Sequence, residues 1–234
     1  MPDQPPDRGR ITSGLTSNAL VASTLEFVRD ELPKWRDDPE RAVEDSEERL
    51  NAQLCKYLNV ASRQTFPMVY FHHEEKQTGT RRVDFSALPS ENQIIGSTFH
   101  TIYNPFVVIE GKRLPSPTPD REREYVTGGE SKSGGIQRFK LGLHGAKHEL
   151  VALIAYVQEG ELRVWFKQIN SWIRDLEGTH GPGDEAWSLG EQLAGFVEHA
   201  ASSTAESSSL HPRSGDVVSP NFRIRHFWVR MTST

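Results

Sequence analysis

Asp84, Glu110 and Lys112 are of the residue types that handle phosphate esters. Glu110 and Lys112 stand two apart in Ile109-Glu110-Gly111-Lys112, directly after the apolar run Pro105-Phe106-Val107-Val108-Ile109. On an extended strand such a pair projects to one side, so a carboxylate able to hold a divalent cation and an ammonium able to reach water or phosphate would share a face. Asp84 lies 26 residues earlier in Arg82-Val83-Asp84-Phe85. If the two strands pair, Asp84 and Glu110 meet across the sheet. With the carbonyl of Gly111 they make an all-oxygen set suited to Mg²⁺ or Mn²⁺.

The tripeptide alone is weak, because Glu-x-Lys occurs three times among eight lysines, at Glu74/Lys76, Glu110/Lys112 and Glu130/Lys132. Context separates them. The first falls in a hairpin turn and the third in a Gly/Ser-rich loop, both solvated settings. Only Glu110 ends a strand of the doubly buried type, where a charge is costly unless paired or metal-bound. The bland alternatives are that Asp84 decorates the solvent face of a hairpin and that Lys112 and Arg113 open a basic loop. Farther on, glycines 134 and 135 precede Gln137-Arg138. They allow close backbone approach at a helix start, where phosphate oxygens find free N–H groups, or they simply form a Gly-rich entry to a helix. His72 and His73 are adjacent on a strand, so they face opposite sides and cannot easily chelate one ion.

The positioning elements follow from periodicity. Val21, Leu25, Val28 and Leu32 mark one face of a helix from Asn18 that Pro33 should end. A second helix, from Asp45 or Ser46, turns Leu50, Leu54 and Leu58 inward. Residues 66–73 and 81–88 read as a hairpin, 105–109 as a central strand, 133–143 as a helix and 149–157 as a fourth strand. Helices are predicted at 162–176 and 187–200, a serine-rich loop at 201–220 and a closing strand at 222–230. The predicted class is α/β, a mixed central sheet flanked by helices, with extra C-terminal helices and a final strand. Residues 1–16 are expected to be a flexible tail and 17–234 a single domain.

The 234 residues carry 27 Lys+Arg against 32 Asp+Glu, a net charge of −5. That excludes a coat protein held to nucleic acid by bulk charge. One cysteine, Cys55, excludes an internal disulfide framework and fits a reducing cytoplasm. The longest apolar run is eight residues, against the ~20 a membrane helix needs. Basic residues nevertheless cluster around the candidate site, at Lys112, Arg113, Arg121, Arg123, Lys132, Arg138, Lys140 and Lys147. Arg223, Arg225 and Arg230 alternate with Phe227 and Trp228 on the last strand, either a surface for stacked bases or a solvated face.

Over residues 45–157 this order resembles the PD-(D/E)XK nuclease superfamily, whose restriction-endonuclease-like core places a helix before a three-stranded meander, with Asp on the second strand and Glu-x-Lys on the third. The resemblance implies Asp84, Glu110 and Lys112 as catalytic residues, with Asp84, Glu110 and the Gly111 carbonyl on Mg²⁺ or Mn²⁺. Glu48 matches a first-helix Glu of many members, although spacing from Asp45 also lets it complete a capping box. Gln137 matches a polar residue on the helix after the third strand, so Gln137 and Arg138 become substrate-binding candidates. Val83 stands where the family often has Pro, and residues 158–234 match no part of the common core. The implied activity is Mg²⁺-dependent hydrolysis of DNA phosphodiesters, leaving 5′-phosphate and 3′-hydroxyl ends. It suits bacterial restriction or anti-phage defence, as a homodimer or with a regulatory or specificity partner. The competing reading is a nucleic-acid-binding or complex-assembly module that keeps the fold without turnover.

Overall fold

The computed structural model describes residues 17–77, 81–95, 98–214 and 219–231. The expected N-terminal tail, 1–16, lies outside them. Among the described residues there are four α-helices, α1 Ser17–Arg36, α2 Glu47–Thr65, α3 Gly135–Lys140 and α4 Leu162–Asp175. Nine strands follow in chain order, β1 Val69–Lys76, β2 Arg82–Pro89, β3 Gln93–Ile95, β4 Thr98–His100, β5 Val107–Leu114, β6 Leu150–Val157, β7 Ala194–His199, β8 Thr204–Pro212 and β9 Asn221–Arg230. Seven of them form one sheet in the order β1-β2-β5-β6-β9-β8-β7, and β3 with β4 forms a separate small hairpin. The pairs β5/β6 and β6/β9 are parallel and the other neighbours antiparallel, so the sheet is mixed. No helix among the described residues is long and apolar enough to cross a membrane.

The sheet is covered on both faces, which is why its central strands read as unbroken apolar runs. On one face Leu25, Leu32, Leu50, Leu54 and Leu58 of α1 and α2 pack against Phe85, Ile109, Ile154 and Phe227. On the other, Ile136 and Phe139 of α3 and Ile169, Trp172 and Ile173 of α4 meet Val108, Leu153, Ile224 and Trp228. The result is an α/β/α layer arrangement with two hydrophobic layers.

Several sequence expectations need correction. Helix α1 runs through Pro33 to Arg36. The hydrogen bond lost at Pro33 is offset because the extra turn brings Trp35, 1% exposed, against Tyr156 with ring centroids 5.7 Å apart. Ser46, not Asp45, caps α2 by accepting from the Arg49 N–H at 3.3 Å. Helix α3 has six residues instead of eleven. Gly134 restricts its start, since a Cβ there would come 2.3 Å from the Thr127 backbone, and Gly142 at φ +62° ends it. The central strand, expected over 105–109, is β5 from Val107 to Leu114, so the charged residues are mid-strand.

The C-terminal third departs furthest. The segment predicted as a helix over 187–200 is a short 3₁₀ turn, Leu189–Glu191, followed by strand β7. Gly195 at φ +67° breaks any helix there. The predicted loop 201–220 contains β8, which pairs with β9 along nine positions. Serine is a poor signal for a strand, but Ser207, Ser209 and His211 alternate inward and are buried. One sheet therefore joins residues 69–230, and the C-terminal residues supply three of its strands.

Ser209 and His211 belong to a buried polar chain, and the Ser207 hydroxyl stands outside it, buried without a hydrogen-bond partner among the described residues. The Trp228 indole donates to the Tyr125 hydroxyl at 3.0 Å, which lies 2.8 Å from His226 Nδ1. Ser209 Oγ sits 2.7 Å from His226 Nε2 and 2.6 Å from His211 Nε2, and His211 Nδ1 is 2.7 Å from Glu191. An indole N–H only donates and a carboxylate only accepts, so every link runs the same way, from Trp228 to Glu191. That orientation needs both imidazoles neutral, and burial holds both His226 and His211 below the usual histidine range. Lys140 of α3 closes the chain with an ion pair to Glu191 and lies 4.6 Å from the Trp187 ring.

Candidate functional site

Strands β2 and β5 pair at only three positions, Phe85 with Ile109, Ser86 with Val108 and Ala87 with Val107. Beyond Phe85 the ladder stops. The Asp84 carboxylate takes over, accepting the Gly111 N–H at 2.7 Å. A side chain thus replaces a strand carbonyl where the two strands separate, and Asp84 lies close enough to Glu110 for the Glu110 charge to bear on it. Gly111 is required by packing. A Cβ would fall 2.0 Å from Asn51 Oδ1 and 2.9 Å from the Tyr156 ring, and Tyr156 donates to that same Asn51 oxygen at 2.7 Å.

Glu110 is fully buried on the α3 side. One oxygen lies 3.2 Å from an Arg138 guanidinium nitrogen and the other 2.5 Å from His144 Nδ1. The second approach lacks hydrogen-bond alignment, leaving Glu110 Oε1 a buried oxygen without a hydrogen-bond partner. Burial pushes the Glu110 carboxyl up, but the proximity of His144 and the charges of Lys112 and Arg138 outweigh it and bring the pKa down to about 2. Asp84 moves the other way. Burial and the Glu110 charge hold it well above the usual carboxylate range, against the smaller opposing pull of Lys112 and the Gly111 N–H. The pair is therefore split, one carboxylate firmly ionised and its neighbour ready to accept a proton.

Lys112 is 3% exposed and its ammonium lies 2.7 Å from Glu47, whose other oxygen accepts the Arg113 N–H at 3.2 Å. Burial pulls the Lys112 pKa down, yet Glu47, Asp84 and Glu110 together raise it above its ordinary value. The residue is an ammonium ion, not a free amine.

Glu48, the expected first-helix carboxylate, is exposed to solvent, and Glu47 is the one α2 delivers to Lys112. The signal was available: Glu47 lies three and four residues before Leu50 and Asn51, on the buried face of α2, and Glu48 is turned off it. Gln137 does not face an open space. It is buried, and its amide bonds the Gly128 N–H at 2.9 Å, the Gly129 carbonyl at 3.2 Å and Glu185 at 2.6 Å, so it pins the loop before α3. Arg138, by contrast, both contacts Glu110 and lines a surface cleft. The basic and aromatic strand β9 offers no stacking surface. Phe227 and Trp228 are buried, Arg225 pairs with Glu206 at 2.5 Å and Arg230 with Glu161 at 3.0 Å. His144 and Asn51 carried no sequence signal, because their roles arise only when α3 and α2 close on β5.

Among the described residues no cluster of three or more His, Cys, Asp or Glu side chains is arranged to hold a metal ion. The oxygen donors present are the carboxylates of Asp84 and Glu110, whose mutual repulsion raises Asp84, although both Glu110 oxygens already face Arg138 and His144. A cation between them would relieve that repulsion, with hard oxygen ligands of the kind Mg²⁺ takes alongside water. Compared with known proteins, the chain matches no family model, no curated protein and no solved structure.

Proposed function

We propose that this protein is a metal-dependent nuclease with a restriction-endonuclease-like core that hydrolyses DNA phosphodiester bonds. The observation that carries the reading is that Asp84 holds the Gly111 N–H, between the buried Glu110 carboxylate and the buried Lys112 ammonium, where β2 and β5 part. A buried charge of this kind is costly unless it has a task or a partner. Mg²⁺ or Mn²⁺ held by Asp84 and Glu110 would polarise the scissile phosphate and lower the pKa of a bound water. Lys112 is raised and stays protonated, so it serves as a fixed positive charge facing the phosphoryl oxygens, not as the base. Glu47 keeps that ammonium charged and aimed. In-line attack by water breaks the P–O3′ bond and leaves a 5′-phosphate and a 3′-hydroxyl.

The test is cleavage of duplex and single-stranded DNA with Mg²⁺, Mn²⁺ or EDTA. Glu110→Ala and Lys112→Ala should each lose about 100-fold or more, as removal of one charge-stabilising group does. Glu47→Gln should slow cleavage and Glu48→Gln should not. Equal cleavage by wild type, Glu110→Ala and Lys112→Ala excludes the assignment. One observation favours a second reading, a nucleic-acid-binding or assembly module without turnover: Glu110 is already clamped between Arg138 and His144. DNA binding that survives Asp84→Ala, with no cleavage under any metal, would establish it.

A further inference from the structure

Beside Glu110 the surface opens into a cleft of about 560 Å³ lined by Arg121, Ser131, Ser133, Arg138, Asp120 and Glu124. Its volume falls in the ~300–1,000 Å³ range of ligand clefts. Arg138 joins the cleft to the site, because the same guanidinium touches Glu110 at 3.2 Å. Two further side chains, Arg121 and Ser133, bring donors to the space. Arg121 is tied to Glu124 at 2.5 Å but remains 46% exposed, so part of its five-donor fork is free. Ser131 Oγ donates to the Gly128 carbonyl at 2.7 Å and lies 2.8 Å from Ser133 Oγ, so Ser133 carries the hydroxyl left to turn toward a ligand, on the loop that Gln137 pins from behind.

What the lining lacks is as informative. Among the described residues it contains no aromatic side chain and no large apolar one, so apart from the two guanidinium planes nothing in it stacks a nucleobase. The two arginines are balanced by Asp120 and Glu124, which argues against a site that gathers anions by bulk charge and for one that reads geometry through hydroxyl and guanidinium donors. Such donors suit phosphate and sugar oxygens, contacts that position a strand without reporting its sequence.

We infer that this cleft is a backbone subsite, holding a sugar-phosphate next to the scissile bond and accepting any base attached to it. The inference rests on the nuclease reading for its place beside the scissile phosphate, but its binding chemistry is testable separately. Fluorescence anisotropy would follow a short labelled deoxyoligonucleotide and the same strand with abasic residues, using Ca²⁺ in place of Mg²⁺. Wild type should bind the two within about twofold, because base contacts contribute little. Arg121→Ala, and Ser131→Ala combined with Ser133→Ala, should each weaken binding of both strands about tenfold, as loss of charge-assisted or paired hydrogen bonds to phosphate does. The abasic comparison uses only the wild-type protein, so it does not depend on any variant folding. Abasic binding weaker by tenfold or more, or variants with correct circular dichroism that bind like wild type, overturns the subsite. Cleavage measured alongside separates the two ideas: backbone-dependent binding with no cleavage by any metal sinks the nuclease reading alone, and Glu110-dependent cleavage with unaltered binding by the variants sinks the subsite alone.

Discussion

Replacing Glu191 by Ala removes the acceptor at the end of the buried polar chain. Lys140, 1% exposed at its side chain, then loses its ion-pair partner, and His211 loses the acceptor for its Nδ1–H. Burial already pulls Lys140 below the usual lysine range, with Glu191 and more weakly Glu185 opposing. Glu191 itself is pushed up by burial but held lower, on balance, by His211 and Lys140. In the variant the charge cost has a ceiling, because the folded protein can shed the Lys140 proton. From an ordinary pKa of about 10.4 that ceiling is about 4–5 kcal/mol at pH 7 and about 2 kcal/mol at pH 9. Glu185 keeps part of the stabilisation, so a loss of about 3–4 kcal/mol is expected at pH 7, in line with breaking a buried pair from one side. For a chain of this size that corresponds to a fall in Tm of about 6–16 °C. The sign of the pH effect follows: a lowered lysine binds fewer protons folded than unfolded below pH ~10, so the variant gains stability relative to wild type as pH rises. Urea unfolding followed by circular dichroism at pH 7 and pH 9 measures both quantities. Adding Lys140→Met should recover part of the loss and remove its pH dependence. A deficit below about 1 kcal/mol at pH 7, or one that does not shrink by pH 9, refutes the reasoning.

The remaining predictions concern the same polar groups and the site. His211 and His226 are held neutral, so the unfolded chain takes up protons first as pH falls below about 6.5, and stability drops. Each should cost about 1.2 kcal/mol between pH 7 and 5.5. Asp84, with its raised pKa, works in the opposite direction, and the measurement is therefore made in Asp84→Asn, where a flat urea midpoint over that range would contradict the assignment. Gly111→Ala should lose about 2 kcal/mol or more, because the methyl group would come 2.0 Å from Asn51 Oδ1 against a packed strand; an unchanged Tm would show that α2 yields there at no cost. Cys55 is buried on α2 and its thiol is pushed up to about 12, so a thiol reagent should label it only as fast as the protein unfolds, and native-state labelling at the rate of a free thiol would argue against the packing described.

The central strands were legible because their signal is local. Val107–Ile109 and Leu150–Val157 are apolar in succession, and only a strand covered on both faces requires that. The pairing of β2 with β5, which brings Asp84 to the Gly111 N–H, was legible for a related reason, since a hairpin followed by an antiparallel strand leaves few registers in which the apolar residues stay inside. Strand β8 was hidden because its inward residues are Ser207, Ser209 and His211. The burial of Ser209 and His211 is tolerable only where His226 of β9 and Glu191 of the 189–191 turn satisfy them, and those partners are distant in sequence.

At the candidate site the division has the same cause. Residue type and strand context by themselves selected Asp84, Glu110 and Lys112, and the spacing of Glu110 and Lys112 placed them two apart on a strand. Tertiary structure alone decided which groups set their charge. Helix α2 lies so that Glu47 rather than Glu48 meets Lys112, α3 brings Arg138, and the following turn brings His144 to Glu110. The strength of a buried charge depends on every group within a few ångströms, whichever part of the chain supplies it. A sequence states which groups exist. Only the packed fold states which of them are neighbours.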